Sequence, residues 1–125
     1  MKLSDFSRPA LRALAVVALA ATMTTTAFAH ARPVSSEPVP NTEVAAPGDV
    51  TIHFSEPLEP AFTRMSVKDA SGKSVAQGAA QVDAHDAKTL HLPLQPLAAG
   101  HYAVHWTAVA TDGHRTQGDF AFSVK

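Results

Sequence analysis

The sequence predicts an all-β protein: a single domain built as an antiparallel, Greek-key β-sandwich or barrel. Three observations predict it. Apolar and polar residues alternate at period two in one short segment after another. Turn-forming Pro and Gly clusters separate those segments. No window of a dozen residues keeps a helical period without a breaker, and every proline except Pro9 falls after residue 30.

The chain opens with an address. Residues 1–12 carry Lys2, Arg8 and Arg12 against one acid, Asp5. Residues 13–21 (ALAVVALAA) form an unbroken apolar run, and Ala27-Phe28-Ala29 ends the polar stretch that follows. Basic region, apolar core and small-x-small site are the parts of a secretory signal peptide. The apolar run is far short of the ~20 residues of a membrane span. Cleavage after Ala29 is expected, with residues 1–29 removed and residues 30–125 forming the exported, soluble domain. A bacterial periplasm is the expected location.

Strands follow in order. Val50-Thr51-Ile52-His53-Phe54 places Val50, Ile52 and Phe54 on one face. Residues 63–69 (TRMSVKD) read as a strand closed by the turn Ala70-Ser71-Gly72-Lys73. Leu90, Leu92 and Leu94 alternate with His91 and Pro93, and Pro93 marks an edge strand or a strand end. Residues 101–109 put Tyr102, Val104, Trp106 and Ala108 on one face. Residues 119–125 do the same with Phe120, Phe122 and Val124. Residues 38–48 and 77–88 read as loops. Five strands at this spacing suit a sandwich.

Composition removes several function classes. There is no Cys, which excludes a disulfide scaffold, a thiolate metal site and a cysteine nucleophile. Of the 10 Lys/Arg and 11 Asp/Glu, the signal takes three bases and one acid, leaving 7 against 10. Without a basic footprint, a nucleic-acid partner is not expected. No Ser-His-Asp order, phosphate loop or carboxylate pair suggests catalysis, and no enzymatic activity is expected.

Seven His remain after cleavage. Alternation points His53, His91, His101 and His105 away from the core. His101 and His105 stand about 13 Å apart along an extended strand, too far to share one ion directly. His85 lies in a loop beside Asp83 and Asp86, where a solvated turn is expected.

His30 and His114 are different. As a new N-terminus, His30 offers an α-amine beside its imidazole, and the two nitrogens close a chelate ring on one metal. Asp112-Gly113-His114 follows the Trp106 strand. Gly113 lets the backbone aim both flanking side chains at one point, although Asp-Gly is also an ordinary turn dipeptide. An amine, two imidazoles and a carboxylate make a tetragonal N,O set, which suits Cu(II), first in the Irving–Williams order.

These residues, with others, resemble a known family. The marks are His30, Ser35-Ser36-Glu37-Pro38, Ile52-His53-Phe54-Ser55-Glu56-Pro57, Gly100-His101-Tyr102-Ala103-Val104-His105-Trp106, Thr111-Asp112-Gly113-His114 and Gly118-Asp119-Phe120-Ala121-Phe122-Ser123-Val124. In this order they resemble the CopC family of periplasmic copper-binding proteins over essentially all of residues 30–125. The resemblance implies an Ig-like Greek-key β-sandwich and a metal site of His30, Asp112 and His114 holding one Cu(II) per chain. It places Glu56 as an auxiliary group beside the metal. It also implies copper homeostasis or resistance, with handover to a CopD-type inner-membrane protein. Some members hold Cu(I) in a Met-rich loop. Here residues 65–82 contain only Met65, so a Cu(II)-only member is expected.

Two other functions compete with a copper carrier or buffer. An N-terminal His brace also occurs in copper oxygenases that attack polysaccharides, but this chain leaves little room for a substrate platform. An Ig-like interaction module with incidental metal binding is the third reading.

Overall fold

Strands form where the alternation is strongest and also in three places where it is missing. The structure, a computed structural model, describes residues 30–125. The expected signal peptide lies outside the described residues. The strands are β1 (Pro33–Glu37), β2 (Glu43–Val44), β3 (Asp49–Phe54), β4 (Arg64–Asp69), β5 (Gln81–Val82), β6 (Thr89–Pro93), β7 (Gly100–Val109) and β8 (Arg115–Val124). One sheet has the order β1-β3-β6-β5 and the other β2-β8-β7-β4. The result is an open sandwich, not a closed barrel. Only β5–β6 and β7–β8 are consecutive partners, so the chain repeatedly crosses between sheets.

The predicted inner faces are the buried ones. Val50, Ile52 and Phe54 of β3 meet Leu90 and Leu92 of β6 and Tyr102, Val104, Trp106 and Ala108 of β7. Each fully buried aliphatic side chain contributes about 1.5–3 kcal/mol. Phe54 and Trp106 pack edge to face across the sandwich at 5.1 Å. Pro93 ends β6, a central strand, so it marks a strand end and not an edge.

Four readings of the chain change. β1, β2 and β5 were not expected as strands. β2 lies inside the loop read at 38–48, and β5 inside the one at 77–88. β1 is a Pro-Val-Ser-Ser-Glu edge strand whose pairing comes from β3. β2 and β5 are two residues each, too short to show a period. The last strand begins at Arg115, four residues before the alternation of 119–125, because its polar start pairs with β7 from Val109↔Arg115 onward. Inside that stretch lies Gly118, opposite Trp106. A Cβ there would stand 2.5 Å from Trp106 Cζ2, so the indole needs a glycine in this register.

Three segments converge at one end of the sandwich: the chain entering β1, the chain leaving β3, and the β7–β8 turn. The turn is pinned to the chain after β3 by Thr111 N–H on the Pro57 carbonyl at 3.1 Å and Glu59 N–H on the Val109 carbonyl at 2.7 Å.

Candidate metal centre

Asp112 and His114 sit in the five-residue connection 110–114 between β7 and β8. Gly113 N–H donates to Ala110 O at 2.8 Å and Ala110 N–H to His114 O at 3.0 Å. Gly113 takes φ +89°, the left-handed step that closes such a loop before the next strand. Its Cβ would meet nothing within 4 Å, so the glycine serves backbone conformation and not space.

The loop locks its own acid onto its own histidine. The Asp112 carboxylate accepts the His114 amide at 2.9 Å and faces His114 Nδ1 at 2.9 Å. His114 Nδ1 and backbone N–H hold the Asp112 carboxyl below its usual range; the charges of His114 and His30 add to this, and desolvation opposes it. An ionised carboxylate only accepts, so the Nδ1 that faces it is the donor. A carboxylate that orients an imidazole in this way is the usual neighbour of a metal-binding histidine.

His30 reaches this loop because the next residues are clamped. Ala31 is fully buried, and its carbonyl accepts Thr116 Oγ1–H at 2.8 Å from β8. Ser55, just past β3, donates its hydroxyl to His30 O at 3.3 Å and accepts Arg32 N–H at 3.0 Å. Ser55 N–H then donates to Arg32 O at 2.8 Å. The His30 ring consequently meets the His114 ring edge to face, with centroids 5.1 Å apart and planes at 77°.

His30, Asp112 and His114 are thus neighbours. Among the described residues, no three His, Asp or Glu side chains are gathered closely enough to hold an ion as they stand. Asp112 is engaged by His114 from both oxygens. Glu56 follows Ser55 and is half-buried. Sequence reasoning missed Ser55 and Thr116 as the residues that place His30. Only Ser55 had any signal, through its place in the His-Phe-Ser-Glu-Pro motif.

Three of the other histidines have side-chain partners elsewhere. His105 Nδ1 faces Asp119 at 2.8 Å and His101 Nδ1 faces Ser123 Oγ at 2.8 Å, both across β7–β8 on the outer face. His53 Nδ1 faces Thr89 Oγ1 at 3.0 Å, whose hydroxyl donates to Asp86 at 2.8 Å. His85 lies in an exposed turn where Asp83 accepts the backbone N–H groups of His85 and Asp86.

Comparison with known proteins points one way. The CopC domain family matches residues 33–125. Copper resistance protein C of Xanthomonas campestris pv. juglandis is 37% identical over 122 residues, covering 90% of this chain and 94% of that one. The crystal structure of CopC from Methylosinus trichosporium OB3b aligns with a TM-score of 0.71 at 34% identity, over 77% of this chain and 94% of that one. A copper transport protein of Bacillus subtilis, CutJ, is 36% identical over 102 residues; these span 79% of this chain but 19% of the longer relative.

Proposed function

The chain belongs to the CopC family, and on that premise we propose that residues 30–125 form a periplasmic Cu(II) carrier or buffer acting in copper homeostasis or resistance. The observation that carries this reading is the His30–His114 ring pair at 5.1 Å. It puts the nitrogens of a potential N-terminus beside the His114 imidazole. Cleavage after Ala29 frees the His30 amine. That amine and the His30 imidazole chelate one Cu(II), a His114 ring nitrogen supplies the third nitrogen, and an Asp112 oxygen, turned from His114 to the metal, completes an N,O set. Glu56 acts as an auxiliary group.

Copper is cargo here and nothing in the chain turns it over. The Asp112 oxygen fills a position that oxygen activation would need open, which weighs against an oxygenase. A short carrier of this kind needs a receiver. That a longer copper transport protein contains a similar stretch supports handover to a membrane protein of the CopD type.

Intact mass of the exported protein and a Cu(II) competition titration test the reading together. A first residue of His30 with one tightly held Cu(II) per chain is expected. A form keeping Ala29 turns the amine into an amide and is expected to lose affinity by orders of magnitude. Equal affinity of the two forms would sink the chelate.

A further inference from the structure

Beside the β7–β8 loop, on the outer face of the β2-β8-β7-β4 sheet, lies a recess of about 360 Å³. Phe62, Arg64, Thr107, Val109, Gly113 and Arg115 line it. Strand register explains the grouping. Arg64 of β4 lies opposite Thr107, and Arg115 of β8 opposite Val109, with β7 between them. All four side chains therefore project from one face, and the two Arg Cα atoms stand about 12 Å apart at ordinary strand spacings. Side chains of arginine length close most of that gap and bring two guanidiniums to one cavity.

Two facts set this recess apart. Both arginines are exposed, and among the described residues neither guanidinium lies in an ion pair; the two pairs found are His–Asp pairs. No carboxylate lines the recess, although acids outnumber bases in residues 30–125. Phe62 forms one wall and is 65% exposed, one of three large apolar side chains left open. Paired forked donors over an aromatic wall are the chemistry that recognises oxyanions, carboxylates among them, two oxygens at a time.

We infer that this recess is a binding site for a small polycarboxylate, held by Arg64 and Arg115 against Phe62. A recess of this volume is at the lower end of small-molecule sites, and two separated guanidiniums match two carboxylates of one molecule. An acidic protein segment fits less well. Glu59 and Asp112 flank the recess along the chain, Glu59 through its amide on the Val109 carbonyl and Asp112 next to Gly113. The site needs no copper, so its test is independent of the proposed metal chemistry.

The test is an NMR titration of the metal-free exported protein with citrate, at constant ionic strength set with chloride. Saturable shifts at the Gly113 amide and the Arg64 and Arg115 side chains are expected, with Kd below about 1 mM. Arg64→Gln and Arg115→Gln should each weaken binding at least tenfold, while Lys68→Gln, an exposed base further along β4, leaves it unchanged. Acetate, with one carboxylate, should bind at least tenfold more weakly than citrate. Shifts that do not saturate, or citrate binding that survives in the double arginine variant, would overturn the site. Hexaglutamate binding more tightly than citrate would overturn the small-molecule class. The unaffected amides of each variant report that the fold is intact.

Discussion

Thr116 Oγ1–H donates to the carbonyl of Ala31 at 2.8 Å, joining the first strand residues of β8 to the chain segment that carries His30. The bond spans nearly the whole described chain. It sets one ring of the candidate metal centre against the other, because Thr116 lies two residues after His114 and Ala31 one after His30.

Thr116→Val keeps the shape and removes the donor. The buried Ala31 carbonyl then has lost its partner, which costs about 1–3 kcal/mol. Urea unfolding should show that loss. Copper affinity should fall about tenfold or more, as it does when a group that positions a metal ligand is removed. An unchanged copper affinity alongside lost stability would separate His30 placement from the site.

His114→Ala and Asp112→Ala should weaken Cu(II) binding, while His101→Ala and His105→Ala should not. The first two alter the paired rings and the carboxylate that orients one of them. The other two lie on the outer sheet face against Ser123 and Asp119. Electron paramagnetic resonance reads the nitrogen pattern in each variant. A pattern changed by His105→Ala and kept in His114→Ala would reverse the assignment.

Reduction should release the metal. Cu(I) prefers soft sulfur donors, and residues 30–125 contain no Cys and one Met, Met65, which is buried at 8% exposure in the core. Competition with a Cu(I) chelator is expected to strip copper completely on reduction. Retention of Cu(I) would point to a bis-His site, with His53 and His85 as the first residues to test. Acid should also release Cu(II), because protons compete for each nitrogen donor.

Asp86 supplies a pH dependence in the fold itself. The Thr89 hydroxyl first, then the Lys88 amide, hold its carboxyl below the usual range; desolvation opposes them, and the charges of His53 and Lys88 assist. A folded value below the unfolded one means that the unfolded chain binds more protons in acid. The stabilisation is therefore present above about pH 4 and is lost as pH falls through the lowered folded value. Asp86→Asn should be less stable than the parent at pH 7, with the difference closing in stronger acid. Denaturant midpoints across pH 2–7 measure it, and a constant difference across that range would refute the linkage.

The sequence by itself determined which faces are buried. In β3, β6 and β7, the alternation of Val50, Ile52, Phe54, Leu90, Leu92, Val104 and Trp106 with polar neighbours names the core directly, because side chains on a strand alternate sides. It also determined the local half of the candidate site: Asp112-Gly113-His114 is a turn by its residue types, and the acid bonds to the histidine two residues on. Tertiary structure decided the rest. Strands β1, β2 and β5 exist because neighbours offer hydrogen bonds to segments without a period of their own. The first residues of β8 are strand because β7 is long enough to pair them. His30 meets His114 because Ser55 and Thr116, from the two different sheets, hold the backbone around Ala31. Period-two patterning records burial residue by residue, whereas these bonds depend on register between segments far apart in the chain, and a segment with no alternation of its own leaves its register weakly specified.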